Sequence, residues 1–413
     1  MRALALCCLL IAPLAQAARA VSVTSPGIDV FMERRWPALR GKRLGLITHA
    51  AAISSRLEPS IDALARHPDV SLRALLAPEH GLRGAAWAGE SVGKSKDPKT
   101  GVPVHSLYGK TLKPSPEILA ELDALIYDVQ DIGLRSYTYV ATLALAMEAA
   151  AESGKPLYVL DRPNPLGGLR VEGQVPPEDF ERSPVCWLRL PYVYGLTPGE
   201  LARMINGENW LGQGRKAKLT VVPLKGWKRG MLFAHTGLPW VPPSPHVPRQ
   251  ESPYFAAATG IPGELQVLNN GVGYTLPFEM LGAPWIDGER LAQELNSLSL
   301  EGVRFQPASF KPFYATHKGA LCGGVQLHFT RPERAPWFEI QFQALEALRR
   351  LYPEHPIFSE AAEPHRHAFD RVMGTPRLRE EIENGRTVAE LRAEWEREAA
   401  AFRRARRKYL LYE

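Results

Sequence analysis

Cysteine is scarce in this chain. It has four, and Cys7 and Cys8 lie at its very start. A small fold held by disulfides is therefore excluded. Cys186 and Cys322 remain, and a bridge between them or two free buried thiols are both compatible with the sequence. No G-x-G-x-x-G follows the first candidate strand, so a dinucleotide site has no support, and no cofactor is expected. The G-x-S-x-G elbow of α/β-hydrolases is missing. So are H-E-x-x-H and paired C-x-x-C, and no metal site is expected; His365-Arg366-His367 reads as a surface pair. Internal repeats and low-complexity tracts are absent, and beyond the N-terminal segment no apolar run is long enough for a membrane helix.

That N-terminal segment reads as a targeting signal. Arg2 is its positive end, Ala3 to Leu14 its apolar stretch, and Ala18-Arg19-Ala20 a small-x-small cleavage site, with cleavage expected after Ala20. The mature protein is expected to be periplasmic or extracellular, without a membrane anchor. The formal charge is +6, and Arg2 and Arg19 leave with the signal. Such a mild balance does not point to nucleic acid as a partner. The run Arg403-Arg404-Ala405-Arg406-Arg407-Lys408 reads as a solvated helix face, or as attraction toward an anionic polymer such as a cell-wall glycan.

Four short apolar runs each end in reactive side chains. Arg43 to Ile47 leads to Thr48 and His49, and Leu72 to Ala77 leads to Pro78, Glu79 and His80. Ala124 to Tyr127 leads to Asp128, Gln130 and Asp131, and Leu157 to Leu160 leads to Asp161, Arg162 and Asn164. Helix-like segments separate the runs: one opens at Pro59-Ser60, one at Ser115-Pro116, and an Ala-rich one covers Tyr139 to Glu152. The alternation predicts a doubly wound, Rossmann-like parallel sheet. Ligands of such sheets sit beyond the carboxyl ends of the strands, which collects Glu79, Asp128, Asp131 and Asp161 around one crevice.

Residues 82 to 114 form a long insertion on that side, holding Trp87, Glu90 and Tyr108. The Pro-rich stretch Leu238 to Pro248 reads as a rigid loop near a domain junction. Beyond it, a helix over Gly288 to Leu298, a strand over Val325 to Phe329, and helices over Glu339 to Leu351 and Arg377 to Leu410 indicate an α+β half. The expected organisation is a signal over 1–20, a Rossmann-like domain over 21–237 and a smaller α+β domain over 238–413.

Carboxylates in a crevice suit glycoside hydrolysis, which needs an acid at the leaving oxygen and a second group facing the anomeric carbon. Glu79 is placed for the first role; bracing of its own loop is the other reading. Asp128, Asp131 and Arg135 fit either substrate binding or a structural ion-pair network. Tyr137 and Tyr139 follow them, and Trp87, Trp240 and Tyr274 are aromatic side chains suited to sugar faces or to packing.

The motifs at these positions resemble the NamZ/YbbC family of exo-β-N-acetylmuramidases. They are Ala77-Pro78-Glu79-His80-Gly81-Leu82-Arg83-Gly84, Ala88-Gly89-Glu90, Tyr127-Asp128-Val129-Gln130-Asp131-Ile132-Gly133, Arg135-Ser136-Tyr137-Thr138-Tyr139, Leu160-Asp161-Arg162-Pro163-Asn164-Pro165 and Trp240-Val241-Pro242-Pro243-Ser244-Pro245. The resemblance spans nearly the whole mature chain. It implies a cleft between two domains and release of N-acetylmuramic acid from the non-reducing end of peptidoglycan fragments, with the family's catalytic Glu falling on Glu79. Peptidoglycan-derived muramyl saccharides are then the expected partners, and no obligate protein partner is inferred.

The expected catalytic residues are Glu79, Asp128 and Asp131. The expected substrate-binding residues are His80, Arg83, Glu90, Gln130, Arg135, Tyr137, Tyr139, Asp161, Asn164, Trp240 and Tyr274. The chain departs from the family pattern twice. Tyr192-Val193-Tyr194-Gly195 replaces an Arg-His-Gly segment, and Asn269-Asn270-Gly271-Val272-Gly273-Tyr274-Thr275 replaces Ser-Glu-Gly-Arg-Gly-Thr. An Arg in the second segment could hold the lactyl carboxylate of muramic acid, so its loss leaves open a glycosidase for a different amino sugar, with a non-catalytic cell-wall glycan-binding protein as the other alternative.

Overall fold

The computed structural model describes residues 24–83, 95–109 and 111–413. Its centre is a sheet whose strands are β1 (Arg43–Thr48), β2 (Ser71–Ala77), β3 (Ser95–Lys96), β4 (Pro103–Ser106), β5 (Ala124–Asp128), β6 (Pro156–Leu160) and β7 (Lys218–Val222). They lie in the order β3-β4-β2-β1-β5-β6-β7, all parallel except the short edge strand β3. The first four helices are α1 (Gly27–Met32), α2 (Ser60–Arg66), α3 (Pro116–Ala120) and α4 (Tyr139–Glu152), and α5 (Pro198–Gly207) follows β6.

Side-chain alternation along each strand explains why both faces are covered. Leu46, Leu75, Ile126 and Leu160 point into one core with Ile28, Phe31 and Leu64 of α1 and α2. Ile47, Leu76, Tyr127 and Val159 point into the other with Leu143, Met147 and Leu201 of α4 and α5. All four expected strands form. The sequence reading missed β7 and the part of the insertion, β4, that extends the sheet beside β2. Neither is a continuous apolar run: β7 alternates exposed and half-buried residues until Val222.

A smaller antiparallel sheet holds β8 (Met280–Ala283), β9 (Val303–Phe310) and β10 (Cys322–Phe329) in the order β8-β10-β9. Around it stand α6 (Ser252–Gly263), α7 (Gly288–Ser297), α8 (Trp337–Leu351), α9 (Ile357–Glu360) and α10 (Glu363–Met373). The architecture is α/β with two sheets, as the sequence predicts. Its second core also takes in Ile132, Leu134, Leu166, Tyr192 and Val193 from the loops above the large sheet, so the two units share packed side chains.

The expected last helical segment is two helices, α11 (Arg377–Glu383) and α12 (Val388–Arg406), separated at Gly385, which has φ +90°. The chain end returns to the large-sheet unit. Phe402 and Tyr409 enter its core. Arg406 does not sit on a solvated face: it is buried and donates to the carbonyls of Gly168, Leu169, Tyr194 and Gly195. Desolvation lowers its guanidinium to about 10. Cys186 and Cys322 are free, buried thiols.

Candidate active site

The switch point of the large sheet lies between β1 and β5, where successive strands leave in opposite directions. A doubly wound sheet opens its crevice there. Glu79 borders it from the carboxyl end of β2. The chain turns sharply after it, with His80 at φ 70° and Gly81 at φ 73°, closed by Gly81 N–H donating to the Pro78 carbonyl at 3.1 Å.

Three elements hold Glu79. Thr138 Oγ1, just ahead of α4, donates to its Oε2 at 2.8 Å. The Tyr139 hydroxyl lies 3.2 Å from the Glu79 carbonyl and 3.0 Å from that of Pro243, which ties the Pro-rich loop to the site. Tyr108, from the insertion, also meets the Glu79 carboxylate; burial, and then that negative charge and hydrogen bond, push its phenol up to about 12. His49, Tyr139 and Tyr137 form an edge-to-face row, with centroids 4.9 and 4.7 Å apart. Tyr137 stands within the field of both Glu79 and Asp131; burial chiefly, with those charges, holds its phenol well above the ordinary value. Glu79 is partly exposed beside half-buried Thr138, Tyr108 and Tyr137, an arrangement that can present a carboxyl to a substrate oxygen while fixing its direction.

The floor is polar and tightly bonded. His49 Nε2 accepts from the Gln130 backbone N–H at 2.9 Å. Burial, then the Arg162 charge, lower this imidazole to about 3, so it is neutral and cannot serve as the acid near neutrality. The Gln130 side-chain amide donates to the Asp131 and Pro163 carbonyls. Asp131 Oδ2 accepts from the Tyr194 hydroxyl and from Gly133 N–H. Burial raises this carboxyl to about 7, against the pull of the Ile132 and Gly133 N–H groups. Tyr194 belongs to the segment that departs from the family pattern, and it occupies its place there as the partner of Asp131.

Other expected site residues stand elsewhere. Asp128 was expected to be catalytic. It is fully buried, and both its oxygens are engaged by Arg162, at 2.5 Å from Nε and 2.9 Å from Nη2. Arg162 also donates to the Ile53 carbonyl and to Ser60 Oγ, so this pair braces the strand ends. Arg135 was expected to bind substrate. Its terminal nitrogens are spent on the carbonyls of Gln174, Leu190, Val372 and Met373, to which they donate. It therefore joins the large-sheet unit to α10. Asp161 accepts from Thr197 Oγ1, Gly199 N–H and the Tyr412 hydroxyl, and so anchors the start of α5 and the chain end.

Asn164 spans Leu196 O and Leu166 N–H, and it lies so close to Gly133 that a Cβ there would stand 2.3 Å from its Oδ1. Arg83 pairs with Asp97 at 2.7 Å, fastening the insertion. Trp240 is half-buried, donates to the Val247 carbonyl and packs edge-on to Phe233. Together with Gln130 and Arg162 it lines a small crevice. Tyr274 belongs to an aromatic group with Phe310 and Phe313. Glu90 and Trp87 lie outside the described residues, as does the N-terminal signal.

Two partners of Glu79 were not singled out as site residues in the sequence. Thr138 precedes a helix and reads as an N-cap, yet its hydroxyl turns to Glu79. Its only signal is its place between Tyr137 and Tyr139. Tyr108 carries no local signal beyond lying in the insertion. Among the described residues no group of three or more His, Cys, Asp or Glu side chains is arranged to hold a metal ion.

Comparison with known proteins bears on the family and the fold. The family model described as exo-beta-N-acetylmuramidase NamZ, N-terminal, matches residues 44–251, and its C-terminal counterpart matches residues 257–412. The chain is 44% identical over 386 residues to the peptidoglycan beta-N-acetylmuramidase NamZ of Bacillus subtilis strain 168, covering 94% of this chain and 91% of that protein. A DUF1343 family protein of Bacteroides fragilis NCTC 9343 superposes with a TM-score of 0.90 at 45% identity, covering 95% of this chain and all of that one. A second DUF1343 protein of the same strain gives 0.76 at 30% identity, covering 95% and 99%. With both of its halves matched, the chain belongs to the NamZ family of exo-β-N-acetylmuramidases and is a glycoside hydrolase.

Proposed function

We propose that this enzyme releases N-acetylmuramic acid from the non-reducing end of peptidoglycan fragments, with Glu79 as general acid. The observation that carries the reading is the Glu79 carboxyl at the carboxyl end of β2, held at one oxygen by Thr138. The 44% identity to a peptidoglycan β-N-acetylmuramidase supports the substrate class. In this reading Glu79 protonates the leaving glycosidic oxygen. Asp131, kept largely protonated below about pH 7 and bonded to Tyr194, lies in the buried floor beneath the sugar and supports it. Asp128, Arg135 and Asp161 form the framework, because their polar atoms are spent on buried partners.

The enzyme acts outside the cytoplasm in this proposal. Its support is the run of Arg2, the apolar Ala3 to Leu14 and the small-x-small site ending at Ala20. N-terminal sequencing of the protein from its native cell should begin near Val21; an intact Met1 on cytoplasmic protein would refute export.

A second sugar remains in play on one observation. The Asn269 and Asn270 amides that replace the family's charged segment donate to carbonyls of Val272, Thr316 and Thr259, leaving no cation there for a lactyl carboxylate. Nitrophenyl β-glycosides of N-acetylmuramic acid and of N-acetylglucosamine decide between the sugars. Faster release from the muramic acid glycoside is expected; preference for the other sugar would move the substrate class.

A further inference from the structure

We propose that Phe313 and Tyr314 form an aromatic platform for leaving-side sugars beyond the first, a reading that rests on Glu79 being the general acid. Phe313 is 65% exposed, Tyr314 43% and Leu321 65%, and all three belong to one loop between β9 and β10. Exposed large apolar groups gathered in one place mark a contact surface.

The loop is built rather than loose. Phe313 N–H donates to the Gly273 carbonyl at 2.7 Å, and Asn269 Nδ2 donates to the Thr316 carbonyl at 2.8 Å. The His317 ring nitrogen meets the Val267 carbonyl at 2.8 Å. Gly273 has φ +90°, and a Cβ there would stand 1.9 Å from the Tyr314 carbonyl, so only glycine lets the two segments close. The segment that departs from the family pattern, Asn269 to Thr275, is thus the support on which this loop rests.

Its rings lead back to the catalytic glutamate. Phe313 stacks on Tyr274 with centroids 5.9 Å apart and planes at 26°. Tyr314 stacks on His246 at 6.2 Å and 28°, and its hydroxyl is 3.0 Å from the imidazole. His246 stands three residues after Pro243, whose carbonyl, like that of Glu79, meets the Tyr139 hydroxyl, at 3.0 and 3.2 Å. Tyr139 and the Pro-rich loop from 243 to 246 therefore join Glu79 to Tyr314, a separation that suits sugars past the first. Flat, exposed rings bind the apolar faces of pyranoses. The loop also contains Lys311 and Lys318, both exposed, and no Asp or Glu from 311 to 321, which suits the carboxylates of muramyl chains.

The test compares kcat/KM for a muramyl disaccharide and for a peptidoglycan-derived tetrasaccharide. The wild type should favour the tetrasaccharide. Phe313→Leu and the double variant Phe313→Leu/Tyr314→Leu should lower tetrasaccharide kcat/KM by about two- to tenfold, through KM, and leave the disaccharide unchanged. Phe313→Tyr, which keeps a flat ring, should retain the wild-type ratio. An unchanged ratio in the leucine variants, or equal losses in the tyrosine and leucine variants, overturns the platform. Wild-type inactivity on both saccharides would instead overturn the reading of Glu79, and the platform with it.

Discussion

Thr138 donates its hydroxyl proton to Glu79 Oε2 at 2.8 Å, across the junction between the carboxyl end of β2 and the start of α4. A carboxyl on a turn would otherwise sample several rotamers. The hydrogen bond restricts the direction in which the carboxyl faces. Tyr139, one residue on, holds the backbone of the same glutamate, so one helix start sets both the main chain and the side chain.

Glu79→Gln preserves shape and the bond from Thr138 but cannot supply a proton. The expected loss in kcat on a muramyl disaccharide is about 10²- to 10⁴-fold, with KM little changed. The loss should be smaller on a nitrophenyl glycoside, whose leaving group needs less protonation. Near wild-type kcat on the disaccharide would make Glu79 structural.

Thr138→Val removes the donor and keeps the volume. Turnover should fall by about tenfold as the carboxyl loses its fixed direction, while KM and the melting temperature stay close to wild type. Thr138→Ser should restore most of the rate. Equal kinetics for Val and Ser would show that packing, and not the hydroxyl, matters at this position.

Asp128→Asn tests the buried pair with Arg162. Removing one partner of such a pair leaves an uncompensated buried charge, at a cost of about 3–5 kcal/mol. Urea denaturation should show a lower midpoint at unchanged slope, and the residual folded enzyme should keep its kcat. Wild-type stability with lost activity would return Asp128 to the chemistry.

Asp131 and Asp161 are each raised from 3.8 to about 7 in the folded chain, burial being the main cause. Between about pH 4 and 7 the native state therefore holds protons that the unfolded chain has released. Their contribution to stability is present at low pH and is lost as pH rises through this window. Subtracting the unfolding free energy of Asp161→Asn from that of wild type should give a difference that declines up to about pH 7 and then levels. A difference that rises with pH would contradict the raised value.

The strands of the large sheet that carry the crevice were legible in the sequence because they depend on local properties. A parallel strand buried on both faces is a largely apolar run, and β1, β2, β5 and β6 each end in consecutive buried residues. The alternation of strands and helices then sets Glu79 at a carboxyl end facing the crevice, where the structure has it. The strands that lack such a run, β4 and β7, were not legible, since neighbours rather than composition stabilise them.

Which polar groups face the crevice was a tertiary decision. Asp128 looks as reactive as Glu79 in sequence, but its partner Arg162 is 34 residues away. Arg135 spends a guanidinium nitrogen on a carbonyl 237 residues distant, and Asp161 meets a hydroxyl 251 residues distant. Burying a charge is tolerable only when such a partner arrives, and chain folding alone determines whether it does. Glu79 differs because its partners, Thr138 and Tyr108, leave its carboxyl partly open to solvent. The sequence by itself determined the layered α/β sheet and the residue types at its carboxyl edge; the tertiary structure sorted them into buried braces and one partly exposed carboxyl.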